Sequence, residues 1–269
     1  MIKIDGEIID VGNYPDGTIN IKYDINGRQK VEHAKIAWYY ENDREFLTLA
    51  YLVKHLRAND VHNIYLYMPY IPNARMDRVK NPDDIFTLKY FAELLNGLEF
   101  SRVEVLDPHS SVSEALINNL CVIPPKQYIL EVLEQIAPCD YKKSNVLMFY
   151  PDEGAMKRYS GMVNLPYIFG IKRRNWETGV IEGLDIAGGP VRIADKNILI
   201  VDDICSRGGT FLHSARKLKE VGVNDIYLYV SHCENTILEG ELLNGDLIKK
   251  VYTTNSIFTK SHEKIEVMR

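Results

Sequence analysis

Residues 198–210 read Ile-Leu-Ile-Val-Asp-Asp-Ile-Cys-Ser-Arg-Gly-Gly-Thr, and their types and spacing suit one kind of chemistry. The apolar run Ile198–Val201 has the pattern of a short buried strand. Asp202 and Asp203 stand where that strand is expected to end, and a helix-like run opens at Phe211. Between them lies a small turn of Ser206, Arg207, Gly208, Gly209 and Thr210. Backbone N–H groups of such a turn and of a helix N-terminus can hold a phosphate. The acids can take ribose hydroxyls, directly or through a metal ion. A ribose phosphate is the ligand class that this strand, acidic pair, glycine turn and helix start fit together. A purely structural turn is the weaker reading, because of the strand before it and the helix after it.

Four further clusters carry charge or metal-binding groups beside predicted strands. After Ile64–Met68 comes Asn73-Ala74-Arg75-Met76-Asp77-Arg78. Arginine forks suit phosphate oxygens, although an exposed ion-paired loop would look the same. Asp107-Pro108-His109-Ser110 follows Val103–Leu106, and a neutral imidazole there can bind a metal or hold a phosphate. Pro151-Asp152-Glu153-Gly154 follows Val146–Tyr150. Asp152 is a hard oxygen ligand suited to Mg²⁺, or else a cap on the next helix. Lys172-Arg173-Arg174 is a solvated cationic face, or a set of cations that follows charge on a transferred phosphate. Residues 175–197 contain four glycines and could include a lid loop.

The elements that must position these groups alternate along the chain. Val103–Leu106, Val146–Tyr150 and Ile198–Val201 read as buried parallel strands, and Phe46–Leu56, Thr87–Leu98 and Phe211–Val221 as amphipathic helices. That alternation predicts an α/β protein with mostly parallel sheets flanked by helices. Ligands bind such sheets beyond the carboxyl ends of the strands. Val61-His62-Asn63-Ile64-Tyr65-Leu66-Tyr67 echoes Val223-Asn224-Asp225-Ile226-Tyr227-Leu228-Tyr229, by chance or because two domains share a topology. The polar stretch after Pro138 places the boundary between domains 1–138 and 139–269. Glu7–Asp24 reads as a hairpin turning at Tyr14-Pro15-Asp16-Gly17-Thr18.

The bulk composition excludes several classes. A net charge of −5 argues against a nucleic-acid surface. No apolar run approaches the roughly 18–20 residues that span a bilayer, and Met1–Asp5 has no signal-peptide core. Cys121, Cys139, Cys205 and Cys233 have no metal-type spacing, so they are expected as reduced thiols in a cytoplasmic protein.

Taken in order, these motifs resemble the ribose-phosphate diphosphokinases (phosphoribosyl-diphosphate synthetases), as a short and divergent member. The family pattern is an aromatic-x-Asp-Gly-Glu loop, Tyr-Ala-Arg-Gln-Asp-Arg, Asp-x-His, a Pro-Asp-x-Gly turn, Lys-x-Arg and an Asp-Asp loop ending Gly-Thr. Here these are Tyr14–Thr18, Asn73–Arg78, Asp107–His109, Pro151–Gly154, Lys172–Arg174 and Val201–Thr210. The resemblance implies two similar phosphoribosyltransferase-type domains, with the ATP side in the N-terminal one. It implies transfer of the β,γ-diphosphate of ATP to the C1 hydroxyl of ribose 5-phosphate, releasing AMP. By matching position, Lys172 and Arg174 would be catalytic, His109 and Asp152 would hold Mg²⁺, and Arg75, Asp77 and His109 would bind ATP. Asp202, Asp203 and Ser206–Thr210 would bind the ribose phosphate. Tyr14 and Asp16 would reach an adenine site shared between subunits of a homo-oligomer.

The chain departs from the family where Thr18 replaces a glutamate, Met76 a glutamine, and Ser206-Arg207 an Asp-Thr pair. The last change makes the acceptor loop about two charges more positive. That opens a second reading, in which the acceptor is a 5-substituted ribose phosphate such as ADP-ribose, for nicotinamide salvage. A phosphoribosyltransferase is a third, which leaves Asn73–Arg78 and Asp107–His109 without a role.

Overall fold

The computed structural model describes residues 1–24, 32–138, 141, 144–174, 181–188 and 192–269, without the side chains of 172–174 and 181–184. The chain divides into two compact units, Met1–Pro124 and Pro125–Arg269. The division falls before the sequence-predicted boundary at 138/139 because of one helix, Lys126–Ile136. Its Ile129, Val132 and Leu133 are buried with Val146, Met148 and Tyr150 of the second unit.

The first unit holds the strands β1 (Ile2–Ile4), β2 (Glu7–Ile8), β3 (Asp10–Asn13), β4 (Ile19–Lys22), β5 (His33–Trp38), β6 (Asn63–Tyr67), β7 (Arg102–Leu106) and β8 (Leu120–Ile123). Its helices are α1 (Arg44–Ala58), α2 (Thr87–Asn96) and α3 (Ser111–Leu116). The sheet order is β2-β1-β5-β6-β7-β8, with β5 to β8 parallel. β1 runs antiparallel to β5, and β2 to β1. Burial alternates along β5 and β6, so one face is packed and the other carries Lys35, Tyr65 and Arg102 to the surface. The packed face receives α2 through Leu88, Phe91, Ala92 and Leu95, spaced as one helical stripe.

In the second unit α4 (Lys126–Ile136) and α5 (Glu153–Tyr159) accompany β9 (Val146–Tyr150), β10 (Tyr167–Arg174) and β11 (Ile181–Gly188). Then follow β12 (Asn197–Cys205), α6 (Gly209–Glu220), β13 (Ile226–Cys233), β14 (Lys250–Thr254) and β15 (Ile265–Met268). The order is β11-β10-β9-β12-β13-β14-β15, parallel except for the β10–β11 hairpin. β9 and β13 are buried at every residue. Leu147, Phe149, Ile198 and Ile200 pack on one face with Phe211, Ala215 and Leu218 of α6. Met148, Leu199 and Val201 pack on the other with α4 and α5. Two covered faces are why these strands read as unbroken apolar runs.

The internal echo is a shared structure. In both units a helix ends on a residue in the left-handed region, Asp60 (φ 61) or Gly222 (φ 82). The next residue, Val61 or Val223, donates its N–H to the carbonyl of Leu56 or Leu218, and a central strand follows. The expected bounds of one strand and one helix change. The strand begun at Ile198 continues past the acids to Cys205, and its helix starts at Gly209 rather than Phe211. Within 175–197, Ile181–Gly188 form β11, and residues 175–180 and 189–191 lie outside the described residues. The edge strand β15 comes from the C-terminal residues Ile265–Met268. Among the described residues, no helix is long and apolar enough to cross a membrane, and Cys121, Cys205 and Cys233 are unbridged. Cys139 lies outside the described residues.

Candidate functional site

In the second sheet β9 connects outward to β10, whereas β12 connects the opposite way to β13. Their carboxyl ends therefore flank a crevice at a topological switch point, where open α/β sheets place ligands. The loop after β9 brings Asp152, and the end of β12 brings Asp202 and Asp203 with the turn behind them.

Gly208 has φ 77 and is the residue before the helix, with no side chain capping α6. A Cβ there would lie 2.6 Å from a Leu242 methyl, so shape and backbone both require glycine. The helix opens at Gly209 with an uncapped turn of N–H groups, and Gly209 and Thr210 are exposed. Asp203 is buried and takes a 3.2 Å ion pair from Arg158 on α5. That guanidinium also lies over the Tyr159 ring, 5.6 Å from its centroid. Burial, then the Asp203 charge, pushes the Asp202 carboxyl well above the usual carboxylate range, and the nearby Asp152 charge adds to the rise. Such a group favours whatever offsets its charge, a hydroxyl donor or a cation. Asp152 meets its capping reading. One carboxylate oxygen accepts the Ala155 N–H at 3.0 Å as the cap of α5, while the group stays close enough to act on Asp202.

In the first unit the loops after the adjacent strands β6 and β7 converge. Asp77 is buried and accepts from Arg78 at 2.9 and 3.2 Å. That hydrogen bond holds its carboxyl below the usual range, with help from the neighbouring Ser110 and His109. Asn73–Arg78 and Asp107–His109 are thus one constellation, with Asn73 (φ 63) and Asp107 (φ 43) both in the left-handed region. Arg75 lies on the same loop, and its side chain is exposed.

The predicted hairpin is present. β3 and β4 pair antiparallel, and Gly17 (φ 85) closes the turn by donating to the Tyr14 carbonyl at 2.9 Å. Asp16 accepts from the Thr18 hydroxyl (2.7 Å) and amide (3.0 Å), which hold its carboxyl low. Tyr14 is half exposed and borders a cleft of about 320 Å³ with Tyr23, Tyr51 and His55. Lys172 and Arg174 end β10, and their side chains lie outside the described residues.

No protein-family model matches the chain. A ribose-phosphate pyrophosphokinase from Thermococcus kodakarensis is 25% identical over 227 residues, covering 83% of this chain and 77% of that protein. One from Bacillus caldolyticus is 27% identical over 270 residues, covering 95% and 80%. The fold matches the crystal structure of phosphoribosylpyrophosphate synthetase from Mycobacterium smegmatis with a TM-score of 0.77 at 16% identity, over 97% of this chain and 85% of that one. The chain is a divergent relative of the ribose-phosphate pyrophosphokinases.

Several residues of this pyrophosphokinase relative escaped the motif reading. Arg158 sits six residues beyond Asp152 on the helix that Asp152 caps, and only the packing of α5 against β12 shows that it serves Asp203. The segment 239–242 escaped too. The Arg207 side chain reaches Glu239 at 3.2 Å, and a Cβ on Gly240 would come within 2.0 Å of the Arg207 carbonyl oxygen. A glycine following a glutamate in a connecting segment is the one signal the sequence offered.

Proposed function

We propose that the chain transfers the β,γ-diphosphate of ATP to the C1 hydroxyl of ribose 5-phosphate and releases AMP. The observation that carries this reading is the corner at Asp202–Thr210, with acids at a switch point and an uncapped helix start behind a left-handed glycine. The N–H groups of 206–210 bind the 5-phosphate, and Asp202 and Asp203 orient the sugar hydroxyls, with Arg158 holding Asp203. Arg75 and His109 contact the nucleotide phosphates, and Asp77 fixes their loop. Lys172 and Arg174 follow the charge that develops on the transferring group. Tyr14 and Asp16 serve the adenine of a neighbouring subunit in a cytoplasmic homo-oligomer.

Among the described residues, no three His, Cys, Asp or Glu side chains form a metal cage. Asp152 beside Asp202 is nevertheless a hard-oxygen pair, and Mg²⁺ asks for only one or two carboxylates when nucleotide phosphates supply the rest. Asp152 in the second unit and His109 in the first are each proposed as Mg²⁺ ligands. When bound, Mg²⁺ offsets charge on the phosphates.

The test is AMP release from ATP and Mg²⁺ with ribose 5-phosphate or ADP-ribose. AMP with ribose 5-phosphate supports the reading, and none with either acceptor overturns it. Lys172→Ala should lower kcat far more than nucleotide affinity, and equal loss of both would remove Lys172 from the transfer step.

A further inference from the structure

The acceptor loop carries a cation, Arg207, whose charge is already met. Its guanidinium lies 3.2 Å from Glu239, and both side chains are largely exposed. A second pair, Arg216 with Glu241 at 3.6 Å, joins the same 239–242 segment to α6. The backbone under Arg207 is held as well. Gly240 packs so closely on the Arg207 carbonyl that no Cβ fits, and Leu242 fills the space beside Gly208. The short 3-10 helix Asn235–Glu239 and residues 240–242 thus form a wall behind the loop.

We propose that Glu239 is a specificity-determining residue, which keeps the loop selective for a terminal 5-monophosphate by holding Arg207 away from the acceptor, and that Gly240 is a positioning residue, which leaves room for the Arg207 backbone. This rests on the reading that 206–210 bind the acceptor's 5-phosphate. A terminal phosphate is served by the backbone N–H groups. A phosphate attached beyond it needs a cation on the loop, and the loop's own cation, Arg207, is engaged by Glu239.

Calorimetric titration of the full chain with ribose 5-phosphate and with ADP-ribose tests this. Glu239→Gln should tighten ADP-ribose roughly two- to fivefold, the range of an exposed charge pair, and leave ribose 5-phosphate nearly unchanged. The gain should vanish in the Arg207→Ala background and shrink in high salt. Equal shifts for both ligands, no shift, or a shift that persists without Arg207 would overturn the proposal. Gly240→Ala should weaken both sugar phosphates at least about tenfold with ATP affinity kept, since the added methyl must displace the Arg207 backbone. Unaltered binding in that variant would remove Gly240 from the proposal. Failure to release AMP sinks the proposed function while the ligand ratio still judges this inference; failure of the wild type to bind either sugar phosphate sinks both.

Discussion

The two units each carry a strand, a corner and a helix leading to the next parallel strand: β5 into α1, and β12 into α6. The first corner is filled by its own side chains. Glu45 accepts from the Trp38 indole N–H at 3.0 Å and from the Glu41 amide at 2.8 Å, and Asn42 accepts the Arg44 amide at 3.1 Å. The second corner has Gly208 in the left-handed region, no capping side chain and two exposed residues opening the helix. The neighbours differ too. β5 is flanked by antiparallel β1, while β12 is flanked by parallel β9, whose loop adds Asp152. One topology yields a joint whose donors are taken by carboxylate and amide side chains, and a corner whose helix opens on glycine without a capping side chain, where the proposed function places an anion.

Gly208→Val should break the second corner most severely. A branched side chain at positive φ, pressed on Leu242, is expected to raise the acceptor KM roughly a hundredfold with ATP affinity kept; steady-state kinetics with each substrate varied would reveal it. Glu45→Ala should do the reverse. Orphaning the Trp38 and Glu41 donors costs about 1–3 kcal/mol, visible as a lower Tm with an unaltered acceptor KM, and any loss of acceptor binding would erase the contrast. Arg158→Met leaves Asp203 buried without its cation, and a rise of about tenfold in acceptor KM is expected.

The smallest effect is read in stability. The folded state raises the Asp202 carboxyl above its ordinary value of 3.8, so it holds a proton more tightly than the unfolded chain. Its contribution is therefore intact below that ordinary value and is lost as pH rises through the raised one. Asp202→Asn should raise Tm by about 2–4 °C at neutral pH while lowering turnover, with the gain disappearing near pH 4. A thermal-shift series across pH in which the gain is constant would show that Asp202 is not strained by its charge.

Legibility differed between the corners for a physical reason. Apolar runs such as Val146–Tyr150 and Ile198–Val201 announce strands because both faces of the second sheet are buried. The glycine of the acceptor loop announces itself because only glycine fits its φ and its contact with Leu242. β5 alternates, begins the corner without a glycine and was not read as a strand. Ion pairs such as Arg158–Asp203 and Arg207–Glu239 join residues far apart in the chain and leave no spacing to read.

The sequence by itself determined the α/β class, the hairpin at Tyr14–Thr18 and the chemistry gathered around Asp202–Thr210, since each follows from local periodicity or from a residue with one permitted conformation. Only the tertiary structure decided that the helix 126–136 belongs to the second unit, that Asp152 caps a helix while still acting on Asp202, and that Arg207 is neutralised by Glu239. Those outcomes depend on distances between distant segments, and a charge on the page of a sequence becomes a charge at a site only after packing has chosen its neighbours.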